Sequence, residues 1–218
     1  AAPAASPPTR SVGEVATFLG IPTDELTPSV REGLAKLIAE LERLNRDSEE
    51  KDRRINYLER LADEDPLMPI LNRRAYLREL SRMMAFVDRY GGVASVLFFD
   101  VDSMKAINDA HGHAAGDVAL SHVANMLVRN VRGSDIVGRL GGDEFGVLLV
   151  QADQAAANGK GAALAEIIGS TPFVHEGQEL RVAVSYGAFA FTGAGEATEV
   201  IDAADKAMYQ RKRGTPGQ

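Results

Sequence analysis

The sequence contains no cysteine. That excludes disulfide frameworks, thiolate metal sites and cysteine nucleophiles. No apolar run approaches the roughly 20 residues that a membrane-spanning helix needs, so no membrane segment is expected. The start, Ala1–Pro8, lacks the basic region and apolar stretch of a signal peptide. Positive charge is in short supply. Lys and Arg number 24 against 31 Asp and Glu, a formal net charge of -7. Such a balance argues against a broad nucleic-acid or membrane surface, while leaving room for an anion at a local basic site or a metal. The expected compartment is the cytoplasm, and neither nucleic acid nor membrane is an expected partner.

What is present suffices for one ordinary domain and an extension: 218 residues, 45% of them hydrophobic. Three zones are expected. Residues 1–10, rich in Ala and Pro, read as a disordered leader or the cut end of a longer protein. Residues 11–64 read as helical and charged. Residues 65–218 read as a mixed α/β domain.

The helical zone opens with a short helix over about Val12–Leu19, ended by Gly20 and Pro22. A long helix follows from Asp24 or Pro28. Its apolar positions are Val30, Leu34, Leu37, Leu41, Leu44, Ile55 and Leu58, spaced by fours and threes as in a coiled coil. Ser48 and Lys51 weaken the middle of this seam. Either two copies pair along it as a dimer stalk, or a single amphipathic helix lies on its own domain; the heptads favour the stalk.

Beyond residue 65 the expected helices are 72–90, 114–131, 155–168 and 197–212. The expected strands are 93–99, 136–140, 145–150 and 180–191, with Phe173-Val174 pairing across Gly177. The order β-α-β-β-α-β is a split βαβ, the ferredoxin-like arrangement. In it the first strand neighbours the central hairpin, which turns at Gly141-Gly142.

That juxtaposition brings two acidic clusters together, Asp100 with Asp102 and Asp143 with Glu144. Strand alternation points Asp100 and Asp102 the same way, with Val101 opposite. Close carboxylates repel unless a proton or cation lies between them, and oxygen-only ligands suit Mg²⁺ or Mn²⁺. Carboxylate-held metals serve phosphoryl transfer by neutralising phosphate charge. Gly141 and Gly142 remove side chains where a base or phosphate could meet the backbone. An acidic β-turn in water is the plainer reading of these four residues taken alone.

The stretch Phe99-Asp100-Val101-Asp102, then Lys105, Ile107-Asn108-Asp109, Gly112-His113, Gly116-Asp117 and finally Gly141-Gly142-Asp143-Glu144-Phe145 resembles the GGDEF family of diguanylate cyclases. The resemblance covers about residues 65–214, with Met104 where Phe is usual. It implies a palm-like α/β domain that condenses two GTP into cyclic di-GMP and two pyrophosphates as a homodimer. It implies that Asp100, Asp143 and the Val101 carbonyl hold two Mg²⁺ or Mn²⁺ ions, with Glu144 beside them as a catalytic group. Asn108 and Asp117 would bind guanine, and Lys105 and Lys212 the triphosphate. The family's inhibitory product site, RxxD, matches Arg132 and Asp135, with Arg139 as a further contributor.

Two stretches depart from the family pattern. Met68 and Pro69 stand where Thr and Gly are usual, so a different turn geometry is expected there. Near the end, Tyr209-Gln210-Arg211-Lys212-Arg213-Gly214 is one residue short before the glycine, and no Arg follows it. The alternatives are a silent module that binds cyclic di-GMP through Arg132 and Asp135, a purely structural dimer module, and a cyclase with a mixed purine product.

Overall fold

The computed structural model describes residues 11–18, 20–22, 26–193 and 195–214. The expected leader at 1–10 lies outside these residues, as do Leu19 and Asp24. Contacts divide the chain into two units, residues 1–59 and 60–218.

In the first unit, α1 spans Val12–Phe18. Ser11 and Glu14 cap it reciprocally: Glu14 N donates to Ser11 Oγ at 3.3 Å, and Ser11 N donates to Glu14 Oε2 at 2.7 Å. Helix α2 spans Pro28–Asp63, with Pro28 at its first position and Thr27 Oγ1 accepting from Val30 N. Arg43 ties Glu40 and Asp47 along its surface. Leu37, Leu41, Leu44, Ile55 and Leu58 are exposed.

The second unit is built on a four-stranded antiparallel sheet in the order β2-β3-β1-β6. These strands are β1 (Ala94–Val101), β2 (Ile136–Arg139), β3 (Glu144–Val150) and β6 (Val184–Phe191). The helices are α3 (Arg73–Tyr90), α4 (Met104–His111), α5 (His113–Arg129), α6 (Gln154–Ser170) and α7 (Ala197–Gly214). Alternation along β1 feeds two cores. Leu97 and Phe99 pack with Val123, Leu127, Leu164 and Ile168 on the α5–α6 side. Val96 and Phe98 pack with Tyr76 and Leu80 of α3 and Ala204 and Met208 of α7. A central strand covered on both faces explains why its sequence is a continuous apolar run. No helix among the described residues is long and apolar enough to cross a membrane.

Three details differ from the expected elements. The strand expected over 180–191 is broken. Leu180 closes β5 (Gln178–Leu180), which pairs with β4 (Phe173–His175) as a separate hairpin, and β6 begins only at Val184. The expected pairing across Gly177 is present, made by a two-residue turn in which Glu176 and Gly177 both have positive φ. Helix α4 occupies a stretch to which the sequence pattern assigned no element. And β1 runs past Phe99 to Val101, held on both sides by pairing of Asp100 with Glu144 and with Ser185.

Helix α7 can lie close to the sheet because Gly187 has no side chain. A Cβ there would strike the Ala204 carbonyl and the Met208 backbone. This close seating carries the end of α7, and with it Lys212, to the end of β1.

Candidate active site

The site lies where β1 ends beside the β2–β3 turn. Asp100 is directly opposite Glu144 across the ladder, and Val101 N donates to the Asp143 carbonyl at 3.0 Å. Three of the predicted acidic residues are therefore backbone neighbours where these strands end. Glu144 folds beneath the turn, into space that a side chain at Gly141 would fill. Its carboxyl is pushed above the usual range, first by burial and then by the Asp143 charge, with Asp100 and Asp205 adding and Arg73 opposing. Arg73 also donates to the Leu140 carbonyl at 2.7 Å, at the base of the turn.

Asp100 and Asp102 do point the same way. Lys212 Nζ lies 2.5 Å from Asp100 Oδ1 and 3.0 Å from Asp102 Oδ1. Ser185 Oγ donates to Asp102 Oδ1 at 2.8 Å. Burial acts to lower the Lys212 ammonium, but its hydrogen bonds to the two carboxylates outweigh it and the net shift is upward.

Arg139 is engaged in holding the signature turn. Its guanidinium donates to the Gly142 carbonyl at 2.6 Å and to the Gly141 carbonyl at 3.1 Å, and pairs with Asp65 at 3.2 Å. Sequence reasoning missed this role for both residues, which lie 74 positions apart. Arg132 and Asp135, which Arg139 was expected to join, lie toward the other end of the hairpin, where Ile136 pairs with Leu148. None of the polar partners found for Arg139 is Arg132 or Asp135.

The departure at Met68-Pro69 is accommodated. Met68 is buried, Ile70 N donates to its carbonyl at 2.8 Å, and Asp65 N donates to the Ile70 carbonyl at 2.8 Å. Leu71 then bridges to Gly138 of β2.

Asn108 lies on α4, and the Gly112 corner, with φ 82°, turns the chain into α5. A side chain at Gly116 would collide with Asn108 Oδ1, so Gly116 makes room for that amide. Asn108 Oδ1 is buried with no hydrogen-bond partner among the described residues. An orphaned buried acceptor is costly unless a donor arrives. Asp117 and Lys105 are exposed on α5 and α4.

Asp135 holds a separate pocket in shape. Its carboxylate accepts from Arg132 N at 2.9 Å and from Val150 N at 3.2 Å. The cavity there is about 370 Å³, with Lys160 and Ala163 of α6 on its wall.

Among the described residues no three acidic or imidazole groups converge as a ready-made metal cage. Two carboxylates and the Val101 carbonyl nonetheless suit Mg²⁺, which takes one or two carboxylates and completes its shell with water and substrate phosphate.

Residues 62–217 match the family described as "Diguanylate cyclase, GGDEF domain". The chain belongs to the GGDEF family. Among relatives, diguanylate cyclase DgcP of Pseudomonas aeruginosa is 38% identical over 151 residues, covering 68% of this chain and 22% of that protein. Probable diguanylate cyclase DgcE of Escherichia coli is 32% identical over 173 residues, 79% of this chain and 16% of the relative. The chain thus spans less than a quarter of the length of these two relatives. The coiled coil and GGDEF domain of DgcB from Caulobacter crescentus, solved in complex with c-di-GMP, shares the fold. Its TM-score is 0.74 at 24% identity, over 82% of this chain and 95% of that one. A sensory box/GGDEF family protein from Caulobacter crescentus gives a TM-score of 0.64 at 33% identity, over 70% of this chain and 99% of that one.

Proposed function

We propose that two copies of this chain condense two GTP into cyclic di-GMP. In each half-reaction the 3′-hydroxyl of one GTP attacks the α-phosphate of the other, a P–O bond to pyrophosphate breaks, and one proton is released. Two such steps close the ring and free two pyrophosphates. The observation that carries this reading is the backbone adjacency of Asp100, Asp143 and Glu144 at the end of β1, beside an intact signature turn.

Asp100, Asp143 and the Val101 carbonyl would hold two Mg²⁺ or Mn²⁺ ions. These ions would supply charge neutralisation at the phosphate and favour ionisation of the attacking hydroxyl. Glu144 stands beside them as the third carboxylate. Gly141 and Gly142 let the substrate approach the backbone. Asn108 and Asp117 select guanine, whose N1–H and N2–H₂ donors an adenine cannot reproduce. Lys105 and Lys212 meet the triphosphate.

One domain brings one GTP, so the reaction needs a second copy. The exposed leucine seam of α2 supplies it as a coiled coil, raising the effective concentration of loaded domains. The Arg132–Asp135 pocket takes the product and inhibits, with the Arg fork on guanine O6 and N7. The reading places the chain in the cytoplasm, where GTP is available.

A second reading, a silent cyclic di-GMP-binding module, is favoured only by that pocket, which is preformed apart from the carboxylates. Incubation with GTP and Mg²⁺, followed by identification of the product, separates the two. Wild type yields cyclic di-GMP and Asp143→Ala yields none. No product at concentrations that dimerise the stalk overturns the enzyme reading, and product from ATP alone overturns the guanine assignment.

A further inference from the structure

We infer that Lys212 is the resident counter-ion of the Asp100–Asp102 carboxylate pair, and that a metal ion reaching Asp100 must displace it. The inference rests on the proposed role of Asp100 as a metal ligand. It gives Lys212 a task before substrate arrives, as a positioning residue that sets when the cation binds.

Both aspartates are fixed at the backbone, and Asp102 at its carboxylate as well. Asp100 is held in the ladder between Glu144 and Ser185. Asp102 N donates to the Ala183 carbonyl at 2.9 Å, and Asp102 Oδ1 accepts from Ser185 Oγ. Lys212 is the adjustable member. Its ammonium ends a flexible four-carbon stem on α7, and its side chain is 37% exposed. Of its three N–H donors, two are spent on Asp100 Oδ1 and Asp102 Oδ1. The third has no partner among the described residues.

A divalent cation bound at Asp100 would lie within a few ångströms of this ammonium. Like charges so close repel strongly in a half-buried site. The ammonium and the metal therefore exclude one another at Asp100. Once displaced, the ammonium needs another anion, and a nucleotide triphosphate provides one within reach of the same stem. Bare metal binds weakly for this reason, and metal and nucleotide strengthen each other's binding.

A static structural lock would behave differently. Removing a lock costs stability and leaves metal affinity unchanged or reduced. Removing a competitor raises it.

The test is a Mn²⁺ titration of the full chain, reading free Mn²⁺ by electron paramagnetic resonance, without nucleotide and with a non-reactive α,β-methylene GTP analogue. Lys212→Gln and Lys212→Met bind Mn²⁺ alone more tightly than wild type, by about two- to fivefold, the scale of a partly exposed ion pair. Both lose most of the tightening that the analogue gives wild type, whereas Lys212→Arg keeps wild-type behaviour. Unchanged or weaker Mn²⁺ binding in both neutral variants, with the single variant Asp100→Asn losing it, overturns the counter-ion role and leaves the metal site standing. Full Mn²⁺ affinity in Asp100→Asn overturns the metal site itself.

Discussion

Arg139 pairs with Asp65 at 3.2 Å while donating to the carbonyls of Gly141 and Gly142. The segment that follows α2 is thereby tied to the signature turn through one guanidinium. The side chains are 17% and 9% exposed, so the pair is largely desolvated. Breaking such a pair leaves a buried charge without its partner.

Asp65→Ala or Arg139→Ala should each cost about 3 kcal/mol of stability. The double variant should cost clearly less than the sum, because the surviving charge is gone too. Urea unfolding of the four proteins measures the coupling. Activity should fall in both single variants, since the turn that carries Asp143 loses its support.

Gly116→Ala would push a methyl group into Asn108 Oδ1. Expected outcomes are a modest stability loss of about 1–2 kcal/mol and a KM for GTP raised by about tenfold or more. The kcat should change less than KM, because the carboxylate edge is untouched. Steady-state kinetics with GTP checks the split.

Leu41→Asp together with Leu44→Asp would put charge on the exposed seam of α2. The chain should become monomeric by light scattering at micromolar concentration. Product formation should drop by about 100-fold or more, the loss of an intramolecular encounter. A dimer of unchanged stability would place the interface elsewhere.

His122 stacks on Phe173 with ring centroids 5.5 Å apart. Burial depresses its ring below the ordinary range, opposed by the nearby Thr171 backbone. A depressed folded value means stability present above the unfolded value, about 6.5, and lost as pH falls through the folded one. Wild type should therefore lose stability below about pH 6.5, with a slope contribution under about 1.4 kcal/mol per pH unit for one partly exposed proton site. His122→Gln should remove that contribution. Thermal denaturation from pH 5 to 8 compares the two.

Much of the fold was legible because its signals are local. The apolar run ending at Phe99 marked β1, and the Gly141-Gly142 turn marked the β2–β3 hairpin. Asn72 heads α3 as its cap, accepting from Ala75 N at 3.0 Å. Helix α4 was missed because eight residues offer little more than two turns of periodicity. The break at residues 181–183 was missed because an apolar, β-rich stretch looks the same whether it forms one strand or two. Only the different partners of Leu180 and Val184 reveal the break.

By itself the sequence determined which chemical groups are available: paired carboxylates, a glycine turn, an Asn and an Asp for a base, an Arg-x-x-Asp stretch and a heptad seam. These are matters of residue type and spacing, and short-range geometry transmits them. The tertiary structure decided who meets whom. It sent Arg139 to Asp65 and the signature turn, although sequence spacing grouped it with Arg132 and Asp135. It also set Lys212 between Asp100 and Asp102, 112 positions from the first of them. Such pairings depend on sheet order and on the close seating of α7 at Gly187. No local pattern encodes them, because they are fixed by long-range packing.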